Sequence, residues 1–149
     1  MKSINYLQFP GNATEALNYY QNLLPNVTVK KVTFAAMGDN PNLPLTSDEK
    51  NMIMEAQLEF LDNVLMLSDV PPFMSDMIGE LINGNRLIIS LIDGDPAINK
   101  IIFDKLATEG TLIMPLSEVP WSINFGMLID KFGITWKFNS SATTFLQNF

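Results

Sequence analysis

Residues 4–24, Ile4-Asn5-Tyr6-Leu7-Gln8-Phe9-Pro10-Gly11-Asn12-Ala13-Thr14-Glu15-Ala16-Leu17-Asn18-Tyr19-Tyr20-Gln21-Asn22-Leu23-Leu24, set the pattern for the rest of the chain. Ile4 to Phe9 reads as a short strand, and Pro10-Gly11 ends it. Asn12 then offers an N-cap side chain with Glu15 three residues on, a variant of the capping box. Ala13, Leu17, Tyr20 and Leu24 follow at spacings of four, three and four, which is one apolar helical stripe. Pro25 stops it.

Working outward, Val27 to Phe34 is rich in β-branched residues and reads as a strand. Met37 to Lys50, with its Gly, Asn, Asp and Pro residues, reads as a loop. Met52, Met54, Ala56, Leu58 and Phe60 alternate with Ile53, Glu55, Gln57 and Glu59, a strand with one apolar and one mostly polar face. Asp62-Asn63 is expected to turn it into a hairpin partner, Val64 to Ser68. Val70 to Asn85 is a connector with room for a short helix.

The order then restarts. Leu87 to Ile92 reads as a strand and Gly94 as a turn, with Asp95 as N-cap and Pro96 as the first helical residue. Ile98, Ile102 and Leu106 carry a helix that Gly110 is expected to cap. Leu112–Leu116, Ile123–Ile129 and Ile134–Phe138 are three further strands. A shift of 83 residues places Gly11 on Gly94, Asn12 on Asp95, Tyr20 on Phe103 and Leu23 on Leu106. The fold class is therefore α+β, two βαβββ modules in one domain over 1–149. Module one spans about 1–70, the connector about 70–85 and module two about 86–149. Each module exposes one face of its sheet, so pairing them buries those faces or encloses a cleft.

Composition narrows the chemistry. The chain contains neither histidine nor cysteine. Histidine acid/base work, His-ligated metals, thiolate nucleophiles and disulfides are all excluded. A net charge of −7 with scattered cations repels duplex nucleic acid. No apolar run reaches the roughly 18 residues that span a bilayer. The opening residues do not read as a secretion signal, so cytoplasmic residence is expected.

Four blocks carry a family resemblance: Tyr6 to Tyr20, Leu65-Met66-Leu67-Ser68-Asp69, Trp121-Ser122-Ile123-Asn124-Phe125-Gly126 and Asp130-Lys131-Phe132-Gly133-Ile134-Thr135-Trp136. In this order they resemble the PhnB-like branch of the glyoxalase/bleomycin-resistance/dioxygenase (vicinal oxygen chelate) superfamily. The resemblance implies paired half-barrels around a cleft, commonly in a homodimer. It also brings a 3-demethylubiquinone methyltransferase-like label, which the residues do not support. Methyltransferases of the usual kind need a glycine-rich loop after the first strand, and the eight glycines here never form a Gly-x-Gly.

Metal-dependent members of the superfamily place His, Glu or Gln on the first and last strands of each module. The matching stretches here carry Ile4-Asn5, Met66, Leu87 and Trp136-Lys137, within one residue of register. Converging anionic or imidazole donors are missing, so no metal and no cofactor are expected. Several PhnB-like sequences have His where this chain has Glu55. Glu55 and Asp69 are the candidate catalytic carboxylates, as general bases if buried. Against this, Glu55 belongs to an alternating solvated face, and Asp69 precedes Val-Pro-Pro and could cap a turn. The candidate ligand contacts are Tyr6, Gln8, Met66, Trp121 and Phe125, whereas Trp136 reads as core. Three functions stay open: a binder of a small hydrophobic or aromatic molecule, a metal-independent lyase, isomerase or transferase-like enzyme, and a structural module with a filled cleft.

Overall fold

Alternating apolar residues and one helical stripe suffice to build the first sheet. The computed structural model describes residues 1–149, which divide into two units, Met1–Ile82 and Asn83–Phe149. In the first, β1 (Asn5–Phe9) leads into α1 (Ala13–Leu23), then β2 (Thr28–Thr33), β3 (Ile53–Phe60) and β4 (Asn63–Asp69). The sheet order is β1-β4-β3-β2, with β1 parallel to β4 and the other neighbours antiparallel. Leu7, Phe9, Ala56, Leu58, Phe60, Leu65 and Leu67 turn inward and are buried with Ala13, Ala16, Leu17, Tyr20 and Leu23 of α1.

Several local expectations give way to tertiary contacts. Asn12 occupies the N-cap position of α1, but its side chain makes no cap hydrogen bond. The carboxylate of Asp69, from the end of β4, accepts the Ala13 N–H instead. The alternation of β3 breaks at its start, where Val32 pairs with Glu55 and Thr33 with Ile53. Met54 is the extra residue of a β-bulge, which moves Ile53 into the core and leaves Met52 and Met54 half-buried. The hairpin turn is Leu61-Asp62, one residue earlier than expected, with positive φ at both positions as a twisted two-residue loop requires.

The segment read as loop, 37–50, holds a helical end. Phe34–Met37 forms a 3-10 turn and α2 (Ser47–Asn51) a short helix, the latter fixed by a full capping box between Thr46 and Glu49. That Thr-x-x-Glu signal was present in the sequence. The connector carries α3 (Pro72–Ile78).

The second unit repeats the order with β5 (Ile89–Ile92), α4 (Pro96–Thr108), β6 (Thr111–Val119), β7 (Ser122–Ile129) and β8 (Thr135–Asn139), in a sheet ordered β5-β8-β7-β6. A terminal helix, α5 (Ala142–Leu146), was not foreseen, because its five residues are too few for a periodic signal. Asp95 caps α4 as expected, accepting from Ala97 and Ile98 N–H. Leu87 lies outside β5 and is exposed.

Two of the crowded glycines of this unit meet backbone atoms. At the end of α4 the cap residue is Glu109, and a Cβ on Gly110 would stand 2.5 Å from the Ile129 carbonyl oxygen. On Gly126 it would stand 2.9 Å from both the Phe103 ring and the Leu116 Cα, so glycine lets Phe103 of α4 lie directly on the sheet. No helix in either unit is long and apolar enough to cross a membrane.

Candidate functional site

Strand alternation decides which side chains of the first sheet remain available. Leu7 and Phe9 turn toward α1, so Tyr6 and Gln8 turn the other way, and both are exposed. Cross-strand register extends this open face across the sheet. Tyr6 pairs with Met66, Met66 with Gln57 and Gln57 with Lys30; Gln8 pairs with Ser68, and Glu55 with Val32. One residue past the Ala56–Leu67 pair, Glu55 falls in line with Ser68. Tyr6, Gln8, Met66 and Glu55 therefore share a face, joined by Ser68 and Gln57, which were not singled out from the sequence. Period-two alternation could have found them once the strand pairing was known.

The charges on this face are unequally served. Glu59 accepts a hydrogen bond from the Gln57 amide and lies 3.6 Å from the Lys30 ammonium. Glu55 receives neither. Its Oε1 is buried and has no hydrogen-bond partner. Beside it, the Tyr6 phenol is held above its ordinary pKa, chiefly by partial burial. A Ser68 hydrogen bond pulls the other way, and the Glu55 carboxylate pushes further upward through its charge and a hydrogen bond. The folded state thus holds the phenolic proton more tightly. Any stability gained from it is present below the unfolded pKa and fades as pH rises through the folded one. Ultraviolet difference titration of the wild-type chain against Tyr6→Phe should give a midpoint above the usual value of about 10. Glu55→Gln should bring it part of the way back. A midpoint at or below the usual value would contradict this arrangement.

Asp69 stands apart from the face. It turns toward α1, is 2% exposed, and each of its oxygens accepts a backbone N–H at 2.8 Å, from Ala13 and from Ile53. A depression of about 630 Å³ beside it is lined by Pro10, Gly11, Asn12, Asp48, Met52 and others. Its deepest carboxylate is thereby occupied by the backbone, so the available chemistry lies on the open face instead.

In the second unit, Trp121 sits in the turn between β6 and β7 and packs edge-to-face on Phe125, with ring centroids 5.6 Å apart. Trp121 is 39% exposed and Phe125 is buried beneath it. Trp136 is fully buried, its indole Nε1 donating to Asp130 at 2.9 Å. Its neighbour Lys137 faces the opposite side of the sheet, beside Ser90 and Met127.

The donors on the relevant strands can be weighed against a divalent cation. The first unit brings a phenol, an amide, a thioether and a hydroxyl from β1 and β4 with the single carboxylate of Glu55 from β3, and the second brings Ser90 and the Lys137 ammonium. No three acidic side chains converge as a metal-binding group. Hard or borderline cations need several anionic or imidazole ligands at about 2.0–2.2 Å, and these sets do not fit one.

No protein-family model matches the sequence. Protein YjdN of Escherichia coli K12 is 28% identical over 140 residues, 90% of this chain and 91% of YjdN. Protein PA1353 of Pseudomonas aeruginosa, a crystal structure, is 32% identical with a TM-score of 0.72, covering 93% of this chain and 96% of its own. The PhnB protein of Bacillus cereus, which bears a 3-demethylubiquinone-9 3-methyltransferase name, is 23% identical with a TM-score of 0.69, covering 93% of this chain and 98% of its own. At 8% identity and a TM-score of 0.63, the fosfomycin resistance protein FosX of Listeria monocytogenes shares the fold over 97% of this chain and 96% of its own.

Proposed function

Because the chain belongs to the PhnB-like branch of the glyoxalase/bleomycin-resistance superfamily, we propose that it is a small-molecule binding protein that works without a bound metal. The observation that carries this reading is the open face of the first sheet, where Tyr6 and Gln8 are exposed. It mixes apolar side chains at Met66, Val64 and Val32 with hydrogen-bonding groups at Tyr6 and Gln8. Such a mixture suits a small hydrophobic or aromatic ligand oriented by a few polar contacts. In the second unit, Trp121, backed by the buried Phe125, offers an aromatic contact of its own. A homodimer in the cytoplasm completes the proposal.

A thermal-shift screen of small aromatic and hydrophobic molecules tests it. A ligand at a hundred times its Kd stabilises the folded chain by about 2.7 kcal/mol, a rise of several degrees in Tm. Tyr6→Ala and Met66→Ala should reduce that rise. No shift at millimolar concentrations across the library would remove the reading.

A metal-independent lyase, isomerase or transferase-like activity is the second reading, favoured by the Glu55 carboxylate beside the Tyr6 phenol, an acid/base pair on an open face. Asp69 has no free oxygen to lend. If an activity is found and Glu55→Gln leaves it untouched, Glu55 drops out as its base.

A further inference from the structure

We propose that the molecule held on the open face of the first sheet carries a protonated amine, received by Glu55. This rests on the small-molecule reading above and adds the chemical class of the ligand. The Oε1 atom of Glu55 is buried without a hydrogen-bond partner. A shielded carboxylate oxygen with no donor is costly, so such atoms in folded proteins normally have a partner.

The donors of β2 and β3 on this face do not provide one. Lys30 and the Gln57 amide, the neighbouring donors on β2 and β3, both attend Glu59. Val32, paired directly with Glu55, has no side-chain donor. Lys31 is paired with Ala56 and so projects from the opposite face. The Tyr6 phenol stands alongside the carboxylate, yet Oε1 keeps no hydrogen-bond partner.

The surroundings narrow the class further. A chain of net charge −7 attracts cations and repels anions at long range. Met66 and Val32 lie half-buried on the same face and suit an apolar body attached to the amine. A carboxylate or phosphonate placed here would meet Glu55 charge against charge. An ammonium would give it a charge-assisted hydrogen bond.

Calorimetric titration of the full chain with benzylamine, benzyl alcohol and benzoate separates these cases, since the three share a ring and differ in the polar group. Benzylamine is expected to bind about tenfold tighter than benzyl alcohol, the effect of one charged hydrogen bond. Benzoate should bind more weakly than either. Glu55→Gln should reduce the amine preference to about twofold or less, whereas Glu59→Gln should leave it in place. Equal affinity of amine and alcohol for the wild-type chain would overturn the inference while leaving the small-molecule reading standing. So would a preference that survives in folded Glu55→Gln. If none of the three binds, the amine inference falls, and the small-molecule reading is decided by the wider thermal-shift screen. Even if Glu55→Gln does not fold, the wild-type contrast can still overturn the inference.

Discussion

Asp69→Ala is expected to destabilise the first unit by about 3–5 kcal/mol, among the largest effects of any single side chain outside the apolar core. The carboxylate is 2% exposed and accepts two backbone N–H groups at 2.8 Å, one opening α1 and one opening β3. Hydrogen bonds to a charged acceptor contribute about 1.5–3 kcal/mol each, and each buried donor left without an acceptor costs about 1–3 kcal/mol. A negative charge at the start of α1 also meets the positive end of the helix dipole. Asp69→Asn keeps one acceptor and turns an amide N–H toward the other donor, so it should fall between wild type and alanine. All three tyrosines lie in the first unit and both tryptophans in the second. Urea unfolding followed by tyrosine signals should therefore shift more than unfolding followed by tryptophan fluorescence. If Asp69→Ala unfolds at the wild-type midpoint, the residue is not a structural tie, and its candidacy as a cleft carboxylate reopens.

Trp136→Ala should do comparable damage to the second unit, about 3–5 kcal/mol, by opening a cavity under the sheet. The indole is fully buried between Ile89 and Leu128 in the strand register. Its Nε1 donates to Asp130 Oδ2, while Oδ1 of the same carboxylate accepts from the N–H groups of Phe132 and Ile134. One aspartate thus fixes both the β7–β8 turn and the ring above it. Trp136→Phe keeps most of the packing and loses that hydrogen bond, so a cost of about 2 kcal/mol is expected. Thermal unfolding monitored by the remaining Trp121 reads both variants. Equal stability of Trp136→Phe and wild type would mean that the Trp136–Asp130 bond contributes nothing net.

The two aspartates mark where local reading was enough and where it was not. Asp95 was legible as a helix cap because its partners, Ala97 and Ile98, lie two and three residues away. Asp69 was not, because its partners lie 56 and 16 residues away. The same distance in sequence hid the failure of Asn12 as a cap and the bulge that exchanges Ile53 for Met54. In the candidate site, Tyr6 and Gln8 could be assigned to the non-helical face from the alternation of β1 alone. Their approach to Glu55 and Ser68 required the β1–β4 and β3–β4 pairings.

Within five or six residues, periodicity, caps and turn residues determined the eight strands, the two long helices and the repeated βαβββ module, and composition determined the absence of histidine and thiol chemistry, since those properties belong to the chain before it folds. Tertiary structure alone decided which carboxylate is spent on the backbone and which is left on an open face. That choice depends on strand register and burial, which bring together atoms that the sequence keeps far apart.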